Sequence, residues 1–408
     1  MALVKVTIFG LFLTACASHP TSDPATKTAK TQDTTEAQTG PVRPGIWQTK
    51  LYFPLLPGKR IAVVANQTSV RGNIHLVDLL LENHFQVMKV FAPEHGFRGD
   101  HDAGQRVENA RDPQTGLPII SLYGKHKKPT PQDLQNIDII IFDIQDVGAR
   151  FYTYLSTLHY VMEAAAENHI PVVVLDRPNP HIDEIDGPVM EPEFFSFVGM
   201  HPVPILYGMT IGEYARMING EGWLHGGIRA ELTVIPIRNY DRRTPYTLPV
   251  KPSPNLPNRQ AVALYPSLCL LEPTDVSVGR GTDWPFQVFG APDLCPADFS
   301  FVPQPNDASH HPKHQGEQCC GKDLRHIAPP KGLHIEWLIW AYTHHRNKDK
   351  FFNKYFERIA GTAELRRQIQ NGVPADSIRA SWHKGLEKFR QIRSRYLIYP
   401  QKVLRVEH

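Results

Sequence analysis

The sequence predicts an α/β protein, with a mostly parallel sheet covered by helices on both faces and a smaller α+β domain after it. Three observations carry this reading. Residues 59–237 alternate between short apolar runs and stretches of helical spacing, the pattern of strand–helix–strand units. The run from Ile137 to Phe142 is too uniformly apolar to be half exposed, as expected of a strand inside a parallel sheet. Beyond about residue 240, Pro, Gly and aromatic residues become frequent and the alternation stops.

Lys59 to Ala65 opens the series as a strand. His75 to Asn83 follows as a helix with Leu76, Leu79 and Leu80 on one face. Gln86 to Ala92, Leu117 to Leu122 and Ile137 to Phe142 are the next strands. Thr153 to Asn168 is a helix, with Leu155, Leu158, Met162 and Ala165 at helical spacing. Pro171 to Leu175 is another buried strand, and Pro202 to Leu206 reads as one more. Thr210 opens a helix through a capping box, Thr-Ile-Gly-Glu, with Glu213 at the third helical position. Glu231 to Ile237 closes the sheet, so the first domain is set at 46–240 and the second at 241–408. Helices are expected in the second at Glu336 to His344, Lys350 to Ile359, Ala363 to Gln370 and Ala375 to Tyr396.

The chain has 408 residues, 41% hydrophobic and 21% charged, which suffices for two domains with a sizeable core. A net charge of +3 is too small to argue for nucleic acid. Short basic clusters such as His126-Lys127-Lys128 read as solvated faces.

The first residues read as a targeting segment. Lys5 precedes a short apolar stretch, Val6 to Leu13, which is too short to span a bilayer. Leu13-Thr14-Ala15-Cys16 then resembles the bacterial lipobox, with Cys16 as the lipidated residue. Residues 1–16 are therefore expected to be a lipoprotein signal peptide, and 17–45, rich in Thr, Ala, Gln, Pro and Ser, a flexible linker. The expected location is the cell envelope, exported and lipid-anchored, facing the periplasm. Export would permit a disulfide among Cys269, Cys295, Cys319 and Cys320, whose pairing stays open. Segment 306–326 adds His310, His311, His314 and His326, but its spacing fits no standard structural zinc pattern, and it reads as a polar loop leading into a strand.

Each strand of the first domain ends in polar residues. The ends are Asn66-Gln67-Thr68-Ser69, Glu94-His95, Asp143-Ile144-Gln145-Asp146-Val147-Gly148-Ala149-Arg150 and Asp176-Arg177-Pro178-Asn179-Pro180. In open α/β sheets ligands bind in the crevice at those ends. Some of these groups must instead form salt bridges that hold the loops. Neither Gly-x-Gly-x-x-Gly nor a phosphate loop is present, so no nucleotide cofactor is expected, and the missing Gly-x-Ser-x-Gly weakens a serine esterase. What remains is carboxylate chemistry, or metal chemistry using His95, His101 and Asp102. In the second domain, Pro254-Asn255-Leu256-Pro257 and Ser277-Val278-Gly279-Arg280-Gly281-Thr282 fix backbone amides and short polar side chains. That suits a sugar or a rigid interdomain loop.

Taken together, Val64-Ala65-Asn66-Gln67-Thr68, Phe91-Ala92-Pro93-Glu94-His95-Gly96-Phe97-Arg98-Gly99, the 143–154 segment through Phe151-Tyr152-Thr153-Tyr154, Leu175-Asp176-Arg177-Pro178-Asn179-Pro180 and the two second-domain motifs resemble the exo-β-N-acetylmuramidase (NamZ-like) family, formerly a domain of unknown function. The likeness covers about residues 46–408. It implies a Rossmann-like domain without a nucleotide, a smaller domain, and a site in the cleft between them. It also implies release of N-acetylmuramic acid from the non-reducing end of peptidoglycan fragments, with Glu94 in the position of the family's favoured catalytic residue.

Glycoside cleavage needs an acid for the leaving oxygen and a group that stabilises the oxocarbenium-like carbon. Glu94 is the expected acid. Asp143, Asp146 and Asp176 are candidates for the second group, and the substrate's 2-acetamido group is another. His95 is read as orienting a neighbour rather than holding a metal. Asn66, Gln67, Gln145, Asp146, Tyr152, Arg177, Asn179, Asn255 and Thr282 are expected to bind the sugar. N-acetylmuramic acid differs from N-acetylglucosamine by a lactyl ether with a carboxylate, so its selection calls for a cation, with Arg150, Arg98 and Arg280 as candidates. A peptide stem would cap that carboxylate, so the substrate should already have been trimmed by an amidase. A metal-dependent cell-wall amidase and a non-catalytic peptidoglycan-binding lipoprotein are the competing readings.

Overall fold

Branched apolar residues build the central strands, because both faces of the sheet are covered. The computed structural model describes residues 40–97 and 110–400. Seven strands form the main sheet: β1 (Arg60–Ala65), β2 (Gln86–Ala92), β3 (Ala110–Arg111), β4 (Pro118–Ser121), β5 (Ile139–Asp143), β6 (Val172–Leu175) and β7 (Leu232–Ile235). Their spatial order is β3-β4-β2-β1-β5-β6-β7. Every neighbouring pair is parallel except β3–β4 at the edge. The order reverses at β1, with Val64 opposite Phe91 of β2 on one side and Ala65 opposite Asp143 of β5 on the other. The loops after these strands therefore leave from one level at the switch point.

Alternate side chains of each strand go to opposite faces. Ile61, Val63, Ile139 and Ile141 pack with Leu76, Leu79 and Leu80 of α1 (Leu76–Glu82). Ala62, Val64, Ile140 and Phe142 pack with Leu155, Leu158 and Met162 of α2 (Tyr154–Glu167) and Met217 of α3 (Ile211–Gly220). The capping box of α3 is present: Thr210 Oγ1 accepts from Glu213 N at 3.2 Å, and Glu213 Oε2 accepts from Thr210 N at 3.1 Å.

The same apolar cluster continues into the second half of the chain. That half holds α4 (Arg259–Leu268), a three-stranded antiparallel sheet of β8 (Val288–Ala291), β9 (Phe299–Phe301) and β10 (Cys319–Asp323), and helices α5 (Glu336–His344), α6 (Lys348–Phe351), α7 (Phe356–Ala360), α8 (Glu364–Gln370) and α9 (Ala375–Ser394). β10 lies in the middle of its sheet. Cys295 is disulfide-bonded to Cys320 of β10, while Cys269 and Cys319 are free and buried.

Three expectations need correction, and one helix was not expected. Pro202 to Leu206 is not a strand, and only Leu206 makes isolated bridges, to Ala149 and Asp186. Pro202 and Pro204 have no N–H to give a ladder. The helix expected over 350–359 is two short helices, because Phe352 bridges Thr274 and Asn353 N donates to the Pro273 carbonyl. Helix α4 was hidden among Pro-rich loops, and Asn258 caps it by accepting from Ala261 N at 2.9 Å. Residues 43–45, assigned to the linker by composition, are held by hydrogen bonds between Arg43 and Arg238 and from Gly45 N to the Asp176 carbonyl. A Cβ on Gly45 would meet Ile235 O and Asp176 N at 2.6 Å, so the close approach requires glycine. Cys16 and the rest of the expected signal peptide lie outside the described residues.

Behind α2, His159 Nδ1 and His201 Nε2 are 2.9 Å apart, and His201 Nδ1 is 3.0 Å from the Tyr214 hydroxyl. Burial holds both imidazoles below the usual 6.5; for His159 it outweighs Glu163, and for His201 the charge of His159 adds to it. As pH falls through 6.5 the unfolded chain takes up protons that the folded pair does not. Stability is therefore expected to drop between about pH 7 and 5. His201→Gln should flatten that slope in a series of melting temperatures against pH, while lowering Tm at neutral pH.

Candidate active site

The loop after β2 is a tight turn. Gly96 N donates to the Pro93 carbonyl at 3.1 Å, which puts Glu94 and His95 at the turn's two corners. His95 has φ 71° and Gly96 φ 79°. A left-handed histidine costs about 1–3 kcal/mol unless its surroundings enforce it. Here the turn carries both side chains into the wall of a cavity of about 1200 Å³. Small-molecule pockets usually hold about 300–1,000 Å³, so there is room for more than one sugar ring.

Glu94 is held by two hydroxyls. Thr153, the N-cap residue of α2, makes no side-chain cap bond; its Oγ1 instead donates to Glu94 Oε2 at 2.7 Å. The Tyr123 phenol also hydrogen-bonds Glu94, and burial followed by the Glu94 charge raises that phenol's pKa, so it stays protonated. A hydroxyl can donate to a carboxylate or turn to accept from a carboxylic acid. The pair thus fixes the Glu94 carboxyl in either protonation state. Aromatic rings of Phe151, Tyr152, Phe197, Tyr265 and Phe286 line the same cavity. Their faces suit the C–H faces of a pyranose.

The other expected carboxylates do not reach this cavity. Asp143 is wholly buried, and its two oxygens take Nε and Nη2 of Arg177 at 2.5 and 2.8 Å. Asp176 is wholly buried and accepts from Arg177 N, Gly212 N, Thr210 Oγ1 and Tyr399 Oη at 2.6 to 2.9 Å. Burial raises its pKa to about 7 against those hydrogen bonds. Asp146 accepts from Gly148 N and the Tyr207 hydroxyl through Oδ2, and burial pushes it up to about 6. All three are part of the support beneath the site, which corrects their expected contact with substrate. Glu272, which sequence reasoning did not single out, is the second carboxylate among the described lining residues. Burial would raise it, but the charge and hydrogen bonds of Arg280 win and hold it below the usual range.

Most of the expected sugar-binding groups are likewise spent on the fold. Asn66 accepts from Thr68 and donates to the Tyr154 hydroxyl. Gln67 and Gln145 donate to loop carbonyls, of Lys251 and Pro252 and of Asp146 and Pro178. Asn179 joins Met209 O to His181 N, and a Cβ on Gly148, at φ 81°, would meet its Oδ1 at 2.0 Å. Asn255 donates to Ala308 O and Thr282 to Gly279 O. Tyr152 does line the cavity, with its hydroxyl on the Pro252 carbonyl.

The arginines are corrected too. Arg150 is buried and donates to the carbonyls of Pro188, Val203, Ile359 and Ala360 at 2.8 to 2.9 Å. Burial pushes its pKa down to about 9. Arg177 is committed to Asp143. Arg280 reaches the cavity wall, but its Nε and Nη2 bind both oxygens of Glu272 at 2.9 and 2.8 Å, so the pair presents no net charge. Arg98, His101 and Asp102 lie outside the described residues. His310 and His311 line the cavity, whereas His314 Nε2 meets the Asp275 carbonyl, which separates the histidines of that loop. Among the described residues the one group with metal-ligand spacing is Asp275, Asp293 and His345, and none of these lines the cavity.

Arg150→Ala would strand four carbonyls that bridge the first domain to the 359–360 segment. The expected loss is about 3–5 kcal/mol, read by denaturant unfolding, with discrimination between substrates unchanged in whatever protein folds.

The comparisons agree with this arrangement over nearly the whole chain. Residues 61–260 match the family model described as exo-β-N-acetylmuramidase NamZ, N-terminal, and 263–399 match its C-terminal counterpart. The chain is 40% identical over 375 residues to the peptidoglycan β-N-acetylmuramidase NamZ of Bacillus subtilis (strain 168), covering 85% of this chain and 89% of that protein. Crystal structures of two DUF1343 family proteins of Bacteroides fragilis NCTC 9343 superpose with TM-scores of 0.83 and 0.76, at 43% and 31% identity. They cover 89% and 90% of this chain and 100% of each neighbour. With a buried-carboxylate floor, one turn carrying Glu94 and His95, and both family domains matched in order, this chain belongs to the exo-β-N-acetylmuramidase NamZ family.

Proposed function

We propose that this chain is an exo-acting glycoside hydrolase that releases N-acetylmuramic acid from the non-reducing end of peptidoglycan fragments, in cell-wall turnover or recycling. The observation that carries the reading is Glu94 on its turn, clamped by Thr153 and Tyr123 at the wall of an aromatic-lined cavity. The Glu94 carboxylic acid gives its proton to the glycosidic oxygen as the C1–O bond breaks. His95, on the same turn, orients the neighbouring groups. With Asp143, Asp146 and Asp176 sequestered and Glu272 tied to Arg280, the second group is assigned to the substrate's 2-acetamido oxygen. That oxygen bonds to C1 as the leaving group departs. Water then opens the ring so formed and returns a proton to Glu94.

Glu94→Gln keeps the size and the hydroxyl partners but has no proton to give. It is expected to lower kcat for release of N-acetylmuramic acid from a MurNAc–GlcNAc disaccharide by about 10²–10⁴-fold, with an unchanged Tm. A folded Glu94→Gln protein as active as the wild type would move the acid elsewhere.

The chain is proposed to act from the cell envelope, anchored by a lipid at Cys16 and facing the periplasm. The Cys295–Cys320 disulfide supports an oxidising compartment. Among the described residues no helix is long and apolar enough to cross a membrane. Cys16→Ala should abolish incorporation of labelled fatty acid and release the protein from the membrane fraction. Labelling that survives the substitution would remove the anchor.

A further inference from the structure

Selecting muramic acid over glucosamine needs a positive charge for the lactyl carboxylate, and the structure takes that role from two arginines. Both Nη atoms of Arg150, which is not among the lining residues, are committed to four carbonyls, and Arg280 is neutralised by Glu272. One permanent cation remains among the described lining residues. His126, Lys127 and Lys128, which read as one solvated cluster in the sequence, have three different settings. His126 Nε2 lies 3.0 Å from Asp133, and Lys128 is ion-paired with Glu163 and Glu167 at 2.7 and 2.8 Å. Lys127 lines the cavity, with Nζ 4.8 Å from the centroid of Phe197. Among the described residues no carboxylate pairs with it. An ammonium over an aromatic face is partly stripped of water yet keeps its charge for another partner.

Lys127 and Glu94 line the same cavity and are linked through two rings. Tyr123 hydrogen-bonds Glu94, its ring lies 6.0 Å from the ring of Phe197 and is tilted by 54° to it, and Phe197 carries the ammonium of Lys127. In a muramic acid residue the glycosidic oxygen is on C1 and the lactyl ether on O3, with only C2 between the two ring carbons. The lactyl arm extends its carboxylate beyond the ring, so a glycosidic oxygen held at Glu94 leaves that carboxylate to meet a cation of the same cavity, and Lys127 is the unpaired cation among the described lining residues.

We propose that Lys127 is the specificity-determining residue that reads the lactyl carboxylate of N-acetylmuramic acid, an inference that rests on the muramidase reading of the cavity. An amide in place of that carboxylate, as in a residue still carrying its peptide stem, has no charge for Lys127. The reaction that supplies this substrate is therefore an amidase cleavage of the stem.

The test separates recognition from turnover. Calorimetric binding is measured on the Glu94→Gln protein with intact MurNAc–GlcNAc and with its lactyl amide, then repeated with Lys127→Ala and Lys127→Arg added. The carboxylate form should bind at least about 10-fold more tightly than the amide to Glu94→Gln. Lys127→Ala should bind the two alike, and Lys127→Arg should restore part of the difference. In the otherwise wild-type enzyme, Lys127→Ala should raise KM for the carboxylate substrate about 10-fold or more and leave kcat nearly unchanged. A preference that survives Lys127→Ala overturns the proposal, as does equal binding of the two ligands by the Glu94→Gln parent. The muramidase reading stands or falls separately, on release of N-acetylmuramic acid by the wild type.

Discussion

The ion pair of Asp143 and Arg177 is the constraint on which the site rests. It joins the ends of two adjacent strands, β5 and β6, with both side chains out of water. Removing one partner of such a pair leaves an unpaired buried charge, at a cost of about 3–5 kcal/mol. The neighbouring groups show how the cost of burial is met. Ser69 bonds the Asp143 carbonyl, and Asp176 collects donors from its own loop, from the start of α3 and from Tyr399 near the far end of the described chain. Arg242 closes the arrangement by pairing with Glu213 of the capping box. The polar strand ends therefore form a hydrogen-bonded floor, with Gln67 Oε1, Gln145 Oε1 and Asp146 Oδ1 left without a partner, and the C-terminal segment is part of it.

That floor explains why the cavity opens where it does. The loops after β1, β5 and β6 are tied down by bonds among themselves, so they cannot fold over the crevice. The described part of the loop after β2 instead turns Glu94 and His95 to the cavity, through the left-handed His95, and the loop after β4 adds Tyr123 and Lys127. The Glu94 carboxyl, the proposed acid, is held by groups from two other elements, Thr153 at the start of α2 and Tyr123 just after β4. Two rotatable hydroxyls suit that proposed role, in which a proton is given and regained without movement.

The second half of the chain supplies the opposite wall. Tyr265 of α4, Phe286 and the Glu272–Arg280 pair face the cavity, and the apolar cluster under the sheet runs on into the helices behind them. Arg150 strengthens that junction by gathering carbonyls from 188, 203, 359 and 360. The walls of the site are thus positioned by a shared core rather than by a flexible hinge.

Hydrophobic periodicity determined the parallel sheet, the covering helices and the location of the site at the strand ends. These depend on local spacing, which a chain carries in its own order. The polar loop after an apolar strand brought Glu94 and His95 forward as ionisable groups at a strand end, and the family resemblance made Glu94 the proposed acid. The sequence did not distinguish polar strand ends that meet solvent from those that meet each other. Asp143, Asp176 and Arg150 carry the same residue types as a catalytic set, and only their long-range partners, 34 to 223 positions away, make them structural. Lys127 shows the reverse: its neighbours in sequence made it look like plain surface charge, and the placement of Phe197 put it in the cavity. A side chain's chemistry is written in its residue type, but whether that chemistry is free to act depends on which groups reach it first, and long-range packing settles that.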